Sequence, residues 1–139
     1  MHIQPYLFFD GRCAEAVEFY RQALGAQVDM LMRFKDNPEP PPEGQGPANG
    51  DKVMHAALRI GDSVLMASDG MAAGNAPEFK GFSLSINLAD EAQARSVFDA
   101  LAQGGSVVMP LAKTFYASIF GMVRDRFGVQ WMVGVMPTK

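Results

Sequence analysis

The chain has 139 residues, 48% of them hydrophobic and 19% charged, with a formal net charge of −3. This is too apolar for a disordered chain and offers no excess of Lys and Arg, so neither a nucleic-acid partner nor a membrane partner is expected. The single cysteine, Cys13, excludes an internal disulfide or a cysteine-built zinc cluster; with no signal-peptide pattern and no apolar run near the ~20 residues of a membrane span, a cytoplasmic setting is expected.

Residues 3–9 are a short apolar and aromatic run that reads as a buried strand, ended by Asp10-Gly11. From 12 to 24, the apolar positions Cys13, Val17, Tyr20 and Leu24 recur four, three and four apart, with Glu15, Glu18, Arg21 and Gln22 between them. That spacing predicts an amphipathic helix, and Gly25 sits where a left-handed cap would close it. Residues 28–34 read as a second strand. The stretch 36–52 then changes character, with Pro38, Pro40, Pro41, Pro42, Pro47, Gly44, Gly46 and Gly50. Proline removes ladder donors, so this is an excursion, either a lid over a pocket or a solvated loop between two strands.

Residues 53–68 carry the most information. Ile60-Gly61-Asp62-Ser63 reads as a two-residue hairpin turn between alternating strands. Closing it pairs Ile60 with Ser63, Leu58 with Leu65 and Ala56 with Ala67. The opposite face pairs Arg59 with Val64, Ala57 with Met66 and His55 with Ser68. The first face, with Met54 added, is apolar and is expected to pack on a helix. The second carries His55, Arg59 and Ser68 and is expected to look into a cavity or solvent.

After a Gly-, Ala- and Asn-rich linker at 69–80 the order starts again. Residues 82–88 form a strand with Phe82, Leu84 and Ile86 on one face and Ser83, Ser85 and Asn87 on the other. Residues 90–103 form a helix opened by an Asp90/Gln93 capping pair, with apolar Ala94, Val97, Phe98 and Leu101, and followed by Gly104. A strand at 107–111 precedes a final hairpin, 119–124 and 129–135, around residues 125–128. Moving the chain by 79 positions superimposes Phe19 on Phe98, Ala23 on Ala102, Gly25 on Gly104, Val28 on Val107 and Met30 on Met109. The chain therefore reads as a duplicated βαβββ module, at about 1–70 and 80–139. Neither half can bury a good core alone, so the two are expected to share one within a single α+β domain.

The residues that carry a family likeness run along both halves. They are Tyr6-Leu7-Phe8-Phe9-Asp10-Gly11, Glu15-Ala16-Val17-Glu18-Phe19-Tyr20, His55-Ala56-Ala57-Leu58-Arg59-Ile60-Gly61-Asp62-Ser63 and Leu65-Met66-Ala67-Ser68-Asp69. Met109-Pro110-Leu111, Phe115-Tyr116, Phe120-Gly121 and Asp125-Arg126-Phe127-Gly128-Val129-Gln130-Trp131 continue them. In this order they resemble the vicinal oxygen chelate superfamily of glyoxalase, bleomycin-resistance and extradiol dioxygenase proteins, and within it the PhnB-like branch. The resemblance implies tandem βαβββ modules curled into half-open barrels around a ligand cleft, usually in a homodimer. It also implies, for the catalytic members, a divalent metal held by His, Glu or Gln from the first and fourth strands of each module.

This chain departs from that ligand pattern. Its first strand offers only His2 and Gln4, ahead of Pro5; its fourth offers Ser68 and Asp69 at the end. The second module offers Asn87 and Gln130, with Met132 where an acid is expected. No metal and no other cofactor is therefore expected, and the absence of Gly-x-Gly-x-x-Gly argues against a Rossmann-type dinucleotide or methyl-donor site.

The leading expectation is metal-independent binding of a small hydrophobic or aromatic molecule in an apolar cleft, which the ten methionines would make adaptable. Its ligand-binding candidates are His55, Arg59, Met66, Ser68, Ser85 and Tyr116; no catalytic residue is assigned. His55 reads as a pocket acid, base or donor, or as a satisfied wall histidine. Arg59 reads as a holder of an anionic group, or as an exposed strand-edge arginine. Tyr116 reads as a cleft residue or as core. Cys13 lies on the inward stripe of its helix and reads as core, and Trp131 reads as structural if Met132 looks inward. Two alternatives stand beside binding. One is a metal-dependent lyase, isomerase or dioxygenase using His55 with Asp69 or Gln130, and the other is a structural or regulatory dimer with no ligand.

Overall fold

The computed structural model describes residues 1–37, 50–70 and 77–136. Most of the proline-rich segment, with its lid-or-loop alternatives, falls at 38–49, and much of the expected linker falls at 71–76; both lie outside the described residues. The chain divides into two units, Met1–Pro77 and Glu78–Lys139.

The first unit runs β1 (Tyr6–Phe8), α1 (Cys13–Leu24), β2 (Gln27–Arg33), a 3-10 turn (Phe34–Asp36), β3 (Val53–Ile60) and β4 (Ser63–Ser68). Its sheet has the order β1-β4-β3-β2, with β1 parallel to β4 and the other neighbours antiparallel. The second unit runs β5 (Leu84–Asn87), α2 (Glu91–Ala102), β6 (Ser106–Ala112), β7 (Ile119–Arg124) and β8 (Gln130–Val135). Its order is β5-β8-β7-β6, again with only the first pair parallel. The fold is α+β, two βαβββ modules that each build a mixed four-stranded sheet.

The cores follow from the helix stripes. On α1, Cys13, Ala16, Val17 and Tyr20 are buried, and so are Ala56, Leu58, Leu65 and Ala67 on the strands it packs against. On α2, Ala94, Phe98 and Leu101 are buried where the helix meets β7 and β8, beside buried Val123, Trp131 and Val133. Gly25 ends α1 at φ 67°, the left-handed cap expected of it, and the Asp90 carboxylate accepts from the Gln93 N–H at 2.8 Å to start α2.

The β3–β4 hairpin takes the expected register from Ile60–Ser63 to Ala56–Ala67. The expected His55–Ser68 pair does not belong to that ladder. Ser68 pairs instead with Phe8 of the parallel strand β1, and His55 with Met32 of β2. β1 is also shorter than the apolar run around it. Pro5 has no N–H to add to the ladder, although its carbonyl still accepts from Met66 N at 3.0 Å.

Candidate functional site

In each unit one sheet face carries the helix. In the first, strand alternation turns the other face into a surface of Tyr6 and Phe8 from β1, Met66 from β4, His55 and Ala57 from β3, and Met30 and Met32 from β2. Tyr6, Phe8 and Met30 are 38%, 53% and 41% exposed, so the face is open and apolar.

At its centre the Tyr6 hydroxyl lies 2.8 Å from His55 Nδ1, the two rings tilted with centroids 5.5 Å apart. Tyr6 also stacks on Phe8 at 5.0 Å. Burial pushes the Tyr6 phenol above its ordinary value, with the Ser68 hydroxyl partly opposing it, so the phenol keeps its proton at neutral pH. His55 is thus half-buried and held on one nitrogen by a neutral phenol.

The other expected residues divide. Met66 lies directly beside Tyr6 and Ala57. Ser68 reaches the same face but is buried, and its hydroxyl accepts from Gly70 N at 2.9 Å while facing the Val53 carbonyl at 3.4 Å. Arg59 stands at the far end of β3 in a two-point pair with Asp29, Nε to Oδ2 at 3.0 Å and a terminal nitrogen to Oδ1 at 2.8 Å. Its charge is already met there, in the manner of the strand-edge reading. Ser85 and Tyr116 belong to the second unit. Ser85 is exposed on β5 opposite Met132, and Tyr116 packs edge-on against Phe115 and Phe120.

Of the donors named for the metal alternative, Asp69 is already occupied. Asp69 is buried, and its carboxylate accepts from three backbone N–H groups: Gly11 at 2.7 Å and Cys13 at 2.8 Å on Oδ1, and Val53 at 2.8 Å on Oδ2. It ties the start of α1 to β3. Gln130 sits in the second unit, on β8, and His2 is exposed ahead of β1. Among the described residues no three His, Cys, Asp or Glu side chains converge. The described residues of the first unit therefore present no donor set that fits the metal the resemblance implies for catalytic members.

Three further side chains are structural. Cys13 is fully buried, and burial followed by the nearby Asp69 charge pushes its thiol up to about 12, so it is no nucleophile. Trp131 is buried and donates Nε1–H to Asp125 Oδ2 at 2.9 Å, while Asp125 Oδ1 accepts from Phe127 N and Val129 N to shape the last turn. Tyr6 escaped the sequence reading because its link to His55 spans 49 positions. The one signal for it was Tyr6 alternating with the inward Leu7.

Comparison with known proteins agrees with this architecture. The family model for the glyoxalase/bleomycin resistance protein/dioxygenase superfamily matches residues 2–133. The Escherichia coli protein YjdN is 36% identical over 144 residues, covering 98% of this chain and 96% of its own. The crystal structure of PA1353 from Pseudomonas aeruginosa is 46% identical, with a TM-score of 0.85 over 98% of each chain. The PhnB protein from Bacillus cereus is 26% identical, with a TM-score of 0.79 over 97% of this chain and 99% of that one. Among the described residues no helix is long and apolar enough to cross a membrane. On the family match, the duplicated βαβββ topology and the identity to YjdN, the chain is a member of the glyoxalase/bleomycin resistance/dioxygenase superfamily, of the PhnB- and YjdN-like kind.

Proposed function

We propose that the helix-free face of the first unit binds a small hydrophobic or aromatic molecule without a metal ion. The observation that carries this reading is a hydrogen-bonded Tyr6–His55 pair set among exposed Phe8, Met30 and Tyr6 itself. Stacked rings and thioethers supply adaptable apolar contact, and a few polar atoms fix orientation, which is the usual make-up of a small-molecule site. Contiguous exposed apolar surface costs solubility and marks binding faces.

Thermal unfolding against a panel of aromatic compounds tests it. A ligand at a hundred times its Kd stabilises by about 2.7 kcal/mol, and that raises Tm by several degrees in a chain of this size. Phe8→Ala removes an exposed ring, so it is expected to abolish the shift while leaving the unliganded Tm nearly unchanged. The reading is wrong if no compound raises Tm, or if the rise survives both Phe8→Ala and His55→Ala.

A further inference from the structure

We infer that Tyr6 is the positioning residue of this face, holding His55 as the neutral Nε2–H tautomer, so that the face selects an uncharged aromatic ligand bearing a carbonyl-type acceptor. This rests on the binding reading above and names its ligand class.

The geometry leads there in three steps. The Tyr6 hydroxyl and His55 Nδ1 are 2.8 Å apart. A phenol can donate to an imidazole nitrogen or accept from its N–H; with Tyr6 donating, the ring accepts at Nδ1 and carries its own proton at Nε2. Next, Nε2 has no hydrogen-bond partner among the described residues. It is a donor beside the stacked Tyr6–Phe8 rings and Met66. Finally, the basic side chains next to this sheet are held elsewhere: Arg59 is paired with the Asp29 carboxylate, while Lys52 Nζ donates to the Gly11 carbonyl at 3.1 Å and Arg33 to the Asp51 carbonyl.

Each step removes a ligand class. A carboxylate placed on this face would lose water and find the neighbouring cations already held by Asp29 and by backbone carbonyls, with only the His55 N–H to meet it. A pure hydrocarbon would cover the Nε2–H and leave it unpaired. An aromatic ketone or amide satisfies both conditions, stacking its ring on Phe8 and accepting from Nε2–H.

The test uses the full chain and three naphthalene probes of similar shape: 2-acetonaphthone, 2-isopropylnaphthalene and 2-naphthoate. Imidazole ¹⁵N NMR of the unliganded protein reads the tautomer directly, with the His55→Phe spectrum separating His55 from His2. The expected result is an Nε2–H pattern in the wild type that moves toward a tautomer mixture in Tyr6→Phe. The ketone is expected to bind roughly fivefold or more tightly than either other probe, the worth of about one net hydrogen bond. Tyr6→Phe should narrow that preference and His55→Phe abolish it, both still binding the hydrocarbon. A wild-type Nδ1–H pattern overturns the inference without any variant having to fold. Equal binding of ketone and hydrocarbon overturns it while leaving the binding reading intact, and tightest binding of the naphthoate overturns the uncharged class. Binding of none of the three overturns both readings.

Discussion

At the scale of single residues the first unit hangs on one carboxylate. α1 starts without a cap of its own, since Arg12 makes no side-chain bond to the helix N-terminus. Asp69, 56 positions away from Cys13, takes over that role and reaches Gly11 and Val53 as well. The sharp turn that brings those N–H groups to it needs Asp10 at φ 47° and Gly11 at φ 106°. Asp69→Ala would leave the buried N–H groups of Cys13 and Val53 and the part-buried one of Gly11 without their acceptor, at ~1–3 kcal/mol for each one that water cannot reach. A loss of at least about 2 kcal/mol in urea unfolding is expected, with an unchanged m value. Asp69→Asn keeps an acceptor for Gly11 and Cys13 but sets its amide against Val53 N–H, so a smaller loss is expected. If Asp69→Ala falls within about 0.5 kcal/mol of wild type, as ordinary surface changes do, the hub is not structural.

At the scale of elements, local pattern and long-range pairing part company. The β3–β4 hairpin was legible because its register depends only on the turn: Gly61 takes φ 59° at the first central position, and every paired residue follows from it. The duplication was legible for the same reason. The 79-position shift carries Gly25 (φ 67°) onto Gly104 (φ 76°), and the register break between Val28 and Met30 onto the break between Val107 and Met109. What could not be read was the partner of β1, because a parallel pairing leaves no turn to fix its register. Hence alternation alone places His55, Arg59 and Ser68 on one face, while the Tyr6 contact and the Asp69 hub depend on pairings that no local pattern carries. A helix–sheet contact makes its own prediction in the second unit. A Cβ added at Gly121 of β7 would come within 2.9 Å of the Phe98 ring on α2 and 3.0 Å of Leu111. Gly121→Ala therefore forces α2 off its sheet, and a loss of about 1–3 kcal/mol is expected in thermal or urea unfolding. A neutral outcome would mean that the α2 packing relaxes freely.

At the scale of the whole molecule, the two modules share a topology but not a chemistry. Tyr6 pairs with Met66, and at the matching place in the second sheet Ser85 pairs with Met132. Two residues upstream on the next strand, His55 of β3 has Phe120 as its counterpart on β7, where Met122 pairs with Met132 as Ala57 pairs with Met66. Phe8 likewise corresponds to Asn87, since each lies two places beyond the residue paired to that methionine. The duplication thus kept the sheet and its bulge, while only the first copy holds a phenol–imidazole pair beside a stacked ring. Methionines on both helix-free faces can report which copy is used, because a thioether methyl against an aromatic ring feels a strong ring-current shift. With ¹³C-methyl methionine labelling, an aromatic probe is expected to move Met66, Met30 and Met32 first and with one common Kd. Met109, Met122 and Met132 are expected to respond less, and His55→Phe should alter the first set selectively. Were the second set to move most, the binding surface would lie on the Ser85 and Tyr116 unit, and the Tyr6–His55 pair would be a structural feature of its sheet.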